Sequence, residues 1–140
     1  MRLLWMLLTI TVTACATLEP KPDDDRIGLT PRKLSSGECG LFVWKADRAK
    51  TFILYADQKS AALYRNGSEV ELSFASNTNS STERVFLDPA GQTLSLSLLE
   101  PQSIEQIIRY KAGRLSSQDE NGWETVIPVV GLFTCQPFVR

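Results

Sequence analysis

The sequence predicts an all-β domain, a small antiparallel barrel or sandwich of roughly seven or eight short strands. Three observations carry that prediction. From Cys39 onward, short apolar runs recur at regular spacing with turn residues between them. Asn66-Gly67 sits between two alternating segments, the strongest short-range signal for a hairpin. Thr93 to Leu98 alternates cleanly between leucine and hydroxyl side chains, the period of a half-buried strand. A chain of 140 residues is long enough for one such domain and too short for two ordinary ones.

The elements follow in order. Cys39-Gly40-Leu41-Phe42-Val43-Trp44 is apolar at both alternating sets of positions, so this first strand should be covered on both faces. Thr51 to Ala56 and Ala61 to Arg65 are the next runs. A two-residue turn at Asn66-Gly67 pairs Arg65 with Ser68, Leu63 with Val70 and Ala61 with Leu72. Those apolar residues then share a face, with Tyr64, Glu69 and Glu71 on the other. Ser76 to Ser81 is polar, with side chains that favour local backbone bonding, and reads as a protruding loop.

Glu83 to Leu87 is the next strand. In Asp88-Pro89-Ala90-Gly91 the aspartate, proline and glycine are placed for a type I turn. Leu94, Leu96 and Leu98 should then face inward. Ser103 to Tyr110 is ambiguous. Ser103 and Gln106 resemble a capping box and Ile104, Ile107 and Ile108 have helical spacing, while an isoleucine-rich stretch is also strand-like. A single helical turn is the compromise. It leads into a strand ending near Ser117. Asp119 to Gly122 is a further hairpin loop, and Trp123 to Val130 is the last strand. Pro128 inside it calls for an edge position or a bulge.

Upstream, Arg2 precedes an apolar stretch from Leu3 to Val12 and then small residues. The stretch is shorter than the about 20 residues needed to span a bilayer, which is the shape of a cleaved export signal. Val12-Thr13-Ala14-Cys15 resembles the lipobox of bacterial lipoproteins, which implies cleavage before Cys15 and a lipid on its thiol. Ala14-Cys15-Ala16 also fits an ordinary secretory cleavage site, and a cytosolic protein with a buried first helix is a third reading. Ala16 resembles the outer-membrane class more than the inner-membrane one. The expected organisation is a signal peptide over 1–14, a lipidated cysteine and flexible linker over 15–36, and the β domain over 37–140. Pro20, Pro22, Pro31 and Asp23-Asp24-Asp25 give the linker its composition, without the alternating ligands and glycine of a calcium loop.

The chain has three cysteines, an odd count for an exported protein. With Cys15 assigned to lipid, the remaining pair is Cys39 and Cys135, placed to clasp the two ends of the domain by a disulfide. Two separate buried thiols are the alternative.

Composition excludes more than it assigns. Histidine is absent and the formal net charge is -1, which removes histidine-dependent catalysis and histidine zinc sites. With no basic stripe, nucleic acid is not an expected partner. Glu69, Glu71, Glu83 and Asp88 read as solvated surface carboxylates, and no serine has an evident activator. No enzyme activity, cofactor or metal is expected.

A lipobox, a linker, a small β domain and cysteines near its ends resemble the membrane-bound inhibitors of C-type lysozyme. The hairpin from Ala61 to Val70 is similar to the family's alanine-containing strand, glycine turn and second strand. The resemblance implies that Ser80, Ser81 and Arg84 lie in a loop that enters a lysozyme cleft. The family's Ser-Ala-Ser-Gly segment and its Trp-x-Lys-Gly run have no counterpart here. The expected function is therefore a non-catalytic envelope lipoprotein in the periplasm, a monomeric binding or assembly module for an envelope protein or glycan. Lysozyme inhibition is the alternative, and carriage of an apolar ligand is a further one.

Overall fold

A computed structural model describes residues 27–75, 80 and 82–139. The strands are β1 (Cys39–Lys45), β2 (Phe52–Ala56), β3 (Ala61–Arg65), β4 (Ser68–Phe74), β5 (Glu83–Leu87), β6 (Thr93–Ile104), β7 (Ile107–Gln118) and β8 (Glu124–Cys135). Each pairs antiparallel with the next and β8 returns to β1, so the eight strands close as an up-and-down barrel. The choice between barrel and sandwich falls to the barrel. Closure removes every free sheet edge.

Register sorts the side chains. Leu41 and Val43 pair with Ala56 and Leu54 on one side and with Phe133 and Gly131 on the other, and this ring points inward. The Asn66-Gly67 hairpin has the expected pairs, Arg65 with Ser68, Leu63 with Val70 and Ala61 with Leu72. Both turn residues have positive φ, 51° and 79°, the backbone that matches a two-residue turn to the twist of its strands. Leu94, Leu96 and Leu98 are all buried, as their alternation requires. Phe86, fully buried opposite Leu94, completes the packing between them. Gly131 leaves room across the barrel, because a Cβ there would meet Leu98 Cδ2 at 3.1 Å.

The outer face of β1 and β2 is also apolar, and Leu29 to Leu34 lies along it as a strap. The Leu29 amide donates to the Phe52 carbonyl at 2.8 Å. Leu29 packs with Tyr55 and Ala62, flanked by Leu34, Phe42 and Phe52. Arg32 lies over the Tyr55 ring, 5.7 Å from its centroid, and pairs with Glu69. Part of the stretch expected to be linker is thus attached to the barrel. The isolated Leu29 and Leu34 gave no periodic signal, yet β1 and β2 needed a cover for Phe42 and Phe52. Cys15 and the rest of the expected signal and linker lie outside the described residues.

Ser103 to Tyr110 contains no helical turn. β6 and β7 run through it as one long hairpin, with Ile104 opposite Ile107 and Ser103 opposite Ile108. Glu105 carries the tight turn at φ 56°. Isoleucines at helical spacing are equally content as cross-strand neighbours, and pairing with β8 decides the matter. Pro128 stands opposite Arg114, where the β7–β8 register shifts, the bulge its missing N–H calls for.

Cys39 and Cys135 face each other across the closing seam and are disulfide-bonded, with Cα atoms 3.9 Å apart. The closed ladder, the core and the disulfide all lie within residues 29–139, so that stretch is a self-contained folding unit. The bond closes a loop with a sequence separation of 96. Cys39→Ser should therefore destabilise the domain by about 4 kcal/mol in the chain-entropy account. Equal urea midpoints for variant and parent would refute the clasp.

Candidate functional site

The two ends of the barrel are built differently. At one end, turns are tied down by aspartates that act as local acceptors, an Asx arrangement. Asp119 Oδ1 accepts from the amides of Asn121 and Trp123, both at 2.9 Å. Asp88 Oδ1 accepts from the Gln92 amide at 2.8 Å, and its other oxygen pairs with Arg65 at 3.1 Å. That ion pair links the β3–β4 turn to the β5–β6 turn.

Asp88 is not the solvated carboxylate its turn position led us to expect. Its side chain is 5% exposed. Burial pushes its pKa up, but the Gln92 amide, the Arg65 guanidinium and the Ala90 amide outweigh that and hold it below the usual value. Glu69, Glu71 and Glu83 are exposed, as expected.

A cavity of about 510 Å³ lies at the other end, the barrel's mouth, lined among the described residues by Cys39, Ala56, Asp57, Gln58, Phe74, Ser80, Arg84 and Phe133. Among the described residues β4 and β5 pair over Ser73 with Leu87 and Phe74 with Phe86, and the Ala75 amide reaches the Val85 carbonyl at 3.1 Å.

Arg84 sits near the start of β5. Phe86 faces inward, and a period of two puts Arg84 on the same face, opposite Leu96. Its Nε is enclosed and has no hydrogen-bond partner among the described residues. Burial draws its pKa below the ordinary arginine value, and interaction with Tyr110 partly restores it. Arg84 thus belongs to the interior of the mouth. Its side chain is of intermediate exposure and lines the cavity.

Ser80 is exposed, but its hydroxyl is engaged locally. Its Oγ accepts from the Glu83 amide at 2.9 Å and the Thr82 amide at 3.3 Å. Ser80 therefore organises the start of β5. Ser81, the third loop residue, lies outside the described residues, as do positions 76–79.

Asp57 forms part of one wall and is held from the outer face by Tyr55. Asp57 Oδ1 accepts from the Lys59 and Ser60 amides at 2.7 Å each, and Oδ2 from the Tyr55 hydroxyl at 3.0 Å. Burial raises the Asp57 pKa, but these donors prevail and keep the carboxyl below its usual value. The Tyr55 phenol is pushed up to about 12, first by burial and then by its bond to Asp57. Sequence reasoning missed Asp57 altogether. Its signal was the Asp-x-x-Ser spacing between two apolar runs.

No family model, curated protein or solved structure matches the chain. What the fold defines is a disulfide-clasped, eight-stranded antiparallel barrel.

The tied end makes a pH prediction. Asp88 has a folded pKa below its unfolded value near 3.9. Its contribution is present above that value and is lost as pH falls through the folded pKa. Asp88→Asn should cost about 1–3 kcal/mol at pH 7, because a hydrogen-bonded charge partner of Arg65 is removed. In urea unfolding the difference from the parent should shrink below about pH 4. A difference that stays constant down to pH 3 would contradict the assignment.

Proposed function

We propose that this chain is a non-catalytic lipoprotein of the bacterial cell envelope, held by lipid on Cys15, whose barrel binds a partner in the periplasm through its mouth. The single observation that carries the reading is Arg84. A half-buried arginine with an enclosed, unpartnered Nε destabilises a barrel wall, and it stands beside a cavity. Such placement is typical of recognition groups.

Further observations support it. The lipobox-like Val12 to Cys15 supplies the address, and a disulfide between Cys39 and Cys135 fits an oxidising compartment. The strap enters at the tied end, where Leu29 meets Phe52, and ends beside Gly40 at the mouth. A lipid anchor upstream would thus be joined to the end remote from the mouth and leave the mouth accessible. The absence of histidine from the chain supports binding over catalysis.

The test is site-specific photo-cross-linking in cells. A cross-linker at Gln58, exposed on the mouth rim, should give a discrete adduct, and one at Asn66 on the opposite end should not. Adducts from both positions alike, or from neither, would overturn the reading. Globomycin, which blocks lipoprotein signal cleavage, should leave the precursor uncut, and normal processing would remove the lipid anchor from the account. Inhibition of a C-type lysozyme by the purified domain would instead favour the inhibitor reading.

A further inference from the structure

We propose that the barrel mouth is a site for a small amphiphilic carboxylate, with the Arg84 guanidinium taking the carboxylate and Phe74 and Phe133 bearing the apolar body. The inference rests on the binding reading above and adds the chemical class of the ligand.

The charge requirement comes from Arg84. No acidic side chain among the described residues forms an ion pair with it. The acid that lines the same cavity, Asp57, is already committed to two amides and to the Tyr55 and Ser60 hydroxyls. A guanidinium is a strong, forked donor whose best complement is a planar carboxylate bound through two parallel hydrogen bonds. Among the described residues the lining contains no lysine and no second arginine. A dianion such as a phosphate monoester would therefore be poorly neutralised, whereas a monoanion is matched one for one.

The apolar requirement comes from the walls and the floor. Phe74, Phe133 and Ala56 line the cavity beside Arg84. At about 510 Å³ it falls within the range of small-molecule sites. Below it the barrel is filled. Leu41, Phe86 and Leu98 are each 1% exposed or less and belong to one continuous core. The ligand must be short, because a long acyl chain has no interior to enter. This distinguishes the mouth from a barrel that carries lipid along its whole axis.

The experiment uses residues 16–140 with the disulfide intact, titrated with sodium octanoate, octan-1-ol and sodium acetate. Calorimetry gives affinities and amide shift mapping gives the location. Octanoate should saturate with shifts centred on Phe74, Phe133 and Ala56. Octanol and acetate should each bind about tenfold more weakly or worse, since one lacks the charge and the other the apolar body. Arg84→Met should bind octanoate no better than octanol, with its melting temperature unchanged or raised because the enclosed Nε, without a partner among the described residues, is gone.

Equal affinity for octanoate and octanol, acetate as tight as octanoate, or shifts centred away from the mouth would overturn the proposal, as would a charge preference that survives Arg84→Met. If that variant fails to fold, the parent's three-ligand comparison and shift map decide. Octanoate that fails to bind while the Gln58 cross-link persists would remove the carboxylate and leave the binding reading standing. Loss of the cross-link with octanoate still bound at the mouth would do the reverse.

Discussion

The pairing of the first strand with the last, from Cys39 with Cys135 to Lys45 with Val129, is the constraint on which the rest depends. Without it the eight strands would form an open meander with two long, sticky edges. With it, Leu41 and Val43 find partners on both sides and the inward set becomes a single core. The seam is the most non-local strand pairing among the described residues, so its chain-entropy cost is high. The disulfide sits at its mouth-side end, where it reduces that cost in the unfolded state and fixes one edge of the cavity.

Closure has a second consequence, on the outside. β1 is covered on its inner face by the core and on its outer face by the strap from Leu29 to Leu34. Phe42 packs in an aromatic group with Trp44, Phe52 and Tyr55, and the strap shields part of it. The two barrel ends then divide the work. Asp88 and Asp119 hold the turns of one end, with Arg65 bridging between hairpins. The other end carries a cavity and an arginine that has no acidic partner among the described residues.

Much of this was legible in the residues because strand period and turn chemistry are local. Asn66-Gly67 dictates its own hairpin register, and Leu94, Leu96 and Leu98 declare their face by alternation. The cysteine pairing followed from placing the only two candidates near the ends of one domain. What could not be read depended on distant partners. Ile104, Ile107 and Ile108 fit a helix and a strand equally until β8 is laid beside them. The strap is two leucines and an arginine that acquire meaning only against Phe52, Tyr55 and Glu69. Asp88 is buried through Arg65, 23 residues away. Arg84 was within reach, since an inward Phe86 forces it inward too, but a charged residue on a short strand invites the opposite assignment. The partner itself was not legible, because a site of one arginine and a few apolar side chains has no motif.

Closure of the barrel by β1 and β8 is the central claim, and native-state hydrogen exchange tests it most directly. If the seam is a full ladder, β1 and β8 amides should belong to the slowest class, open only with global unfolding, and speed up together with the β3–β4 hairpin when the disulfide is reduced. β1 and β8 amides that exchange by local opening, faster than the β3–β4 hairpin and unaffected by reduction, would show an open sheet and contradict the account.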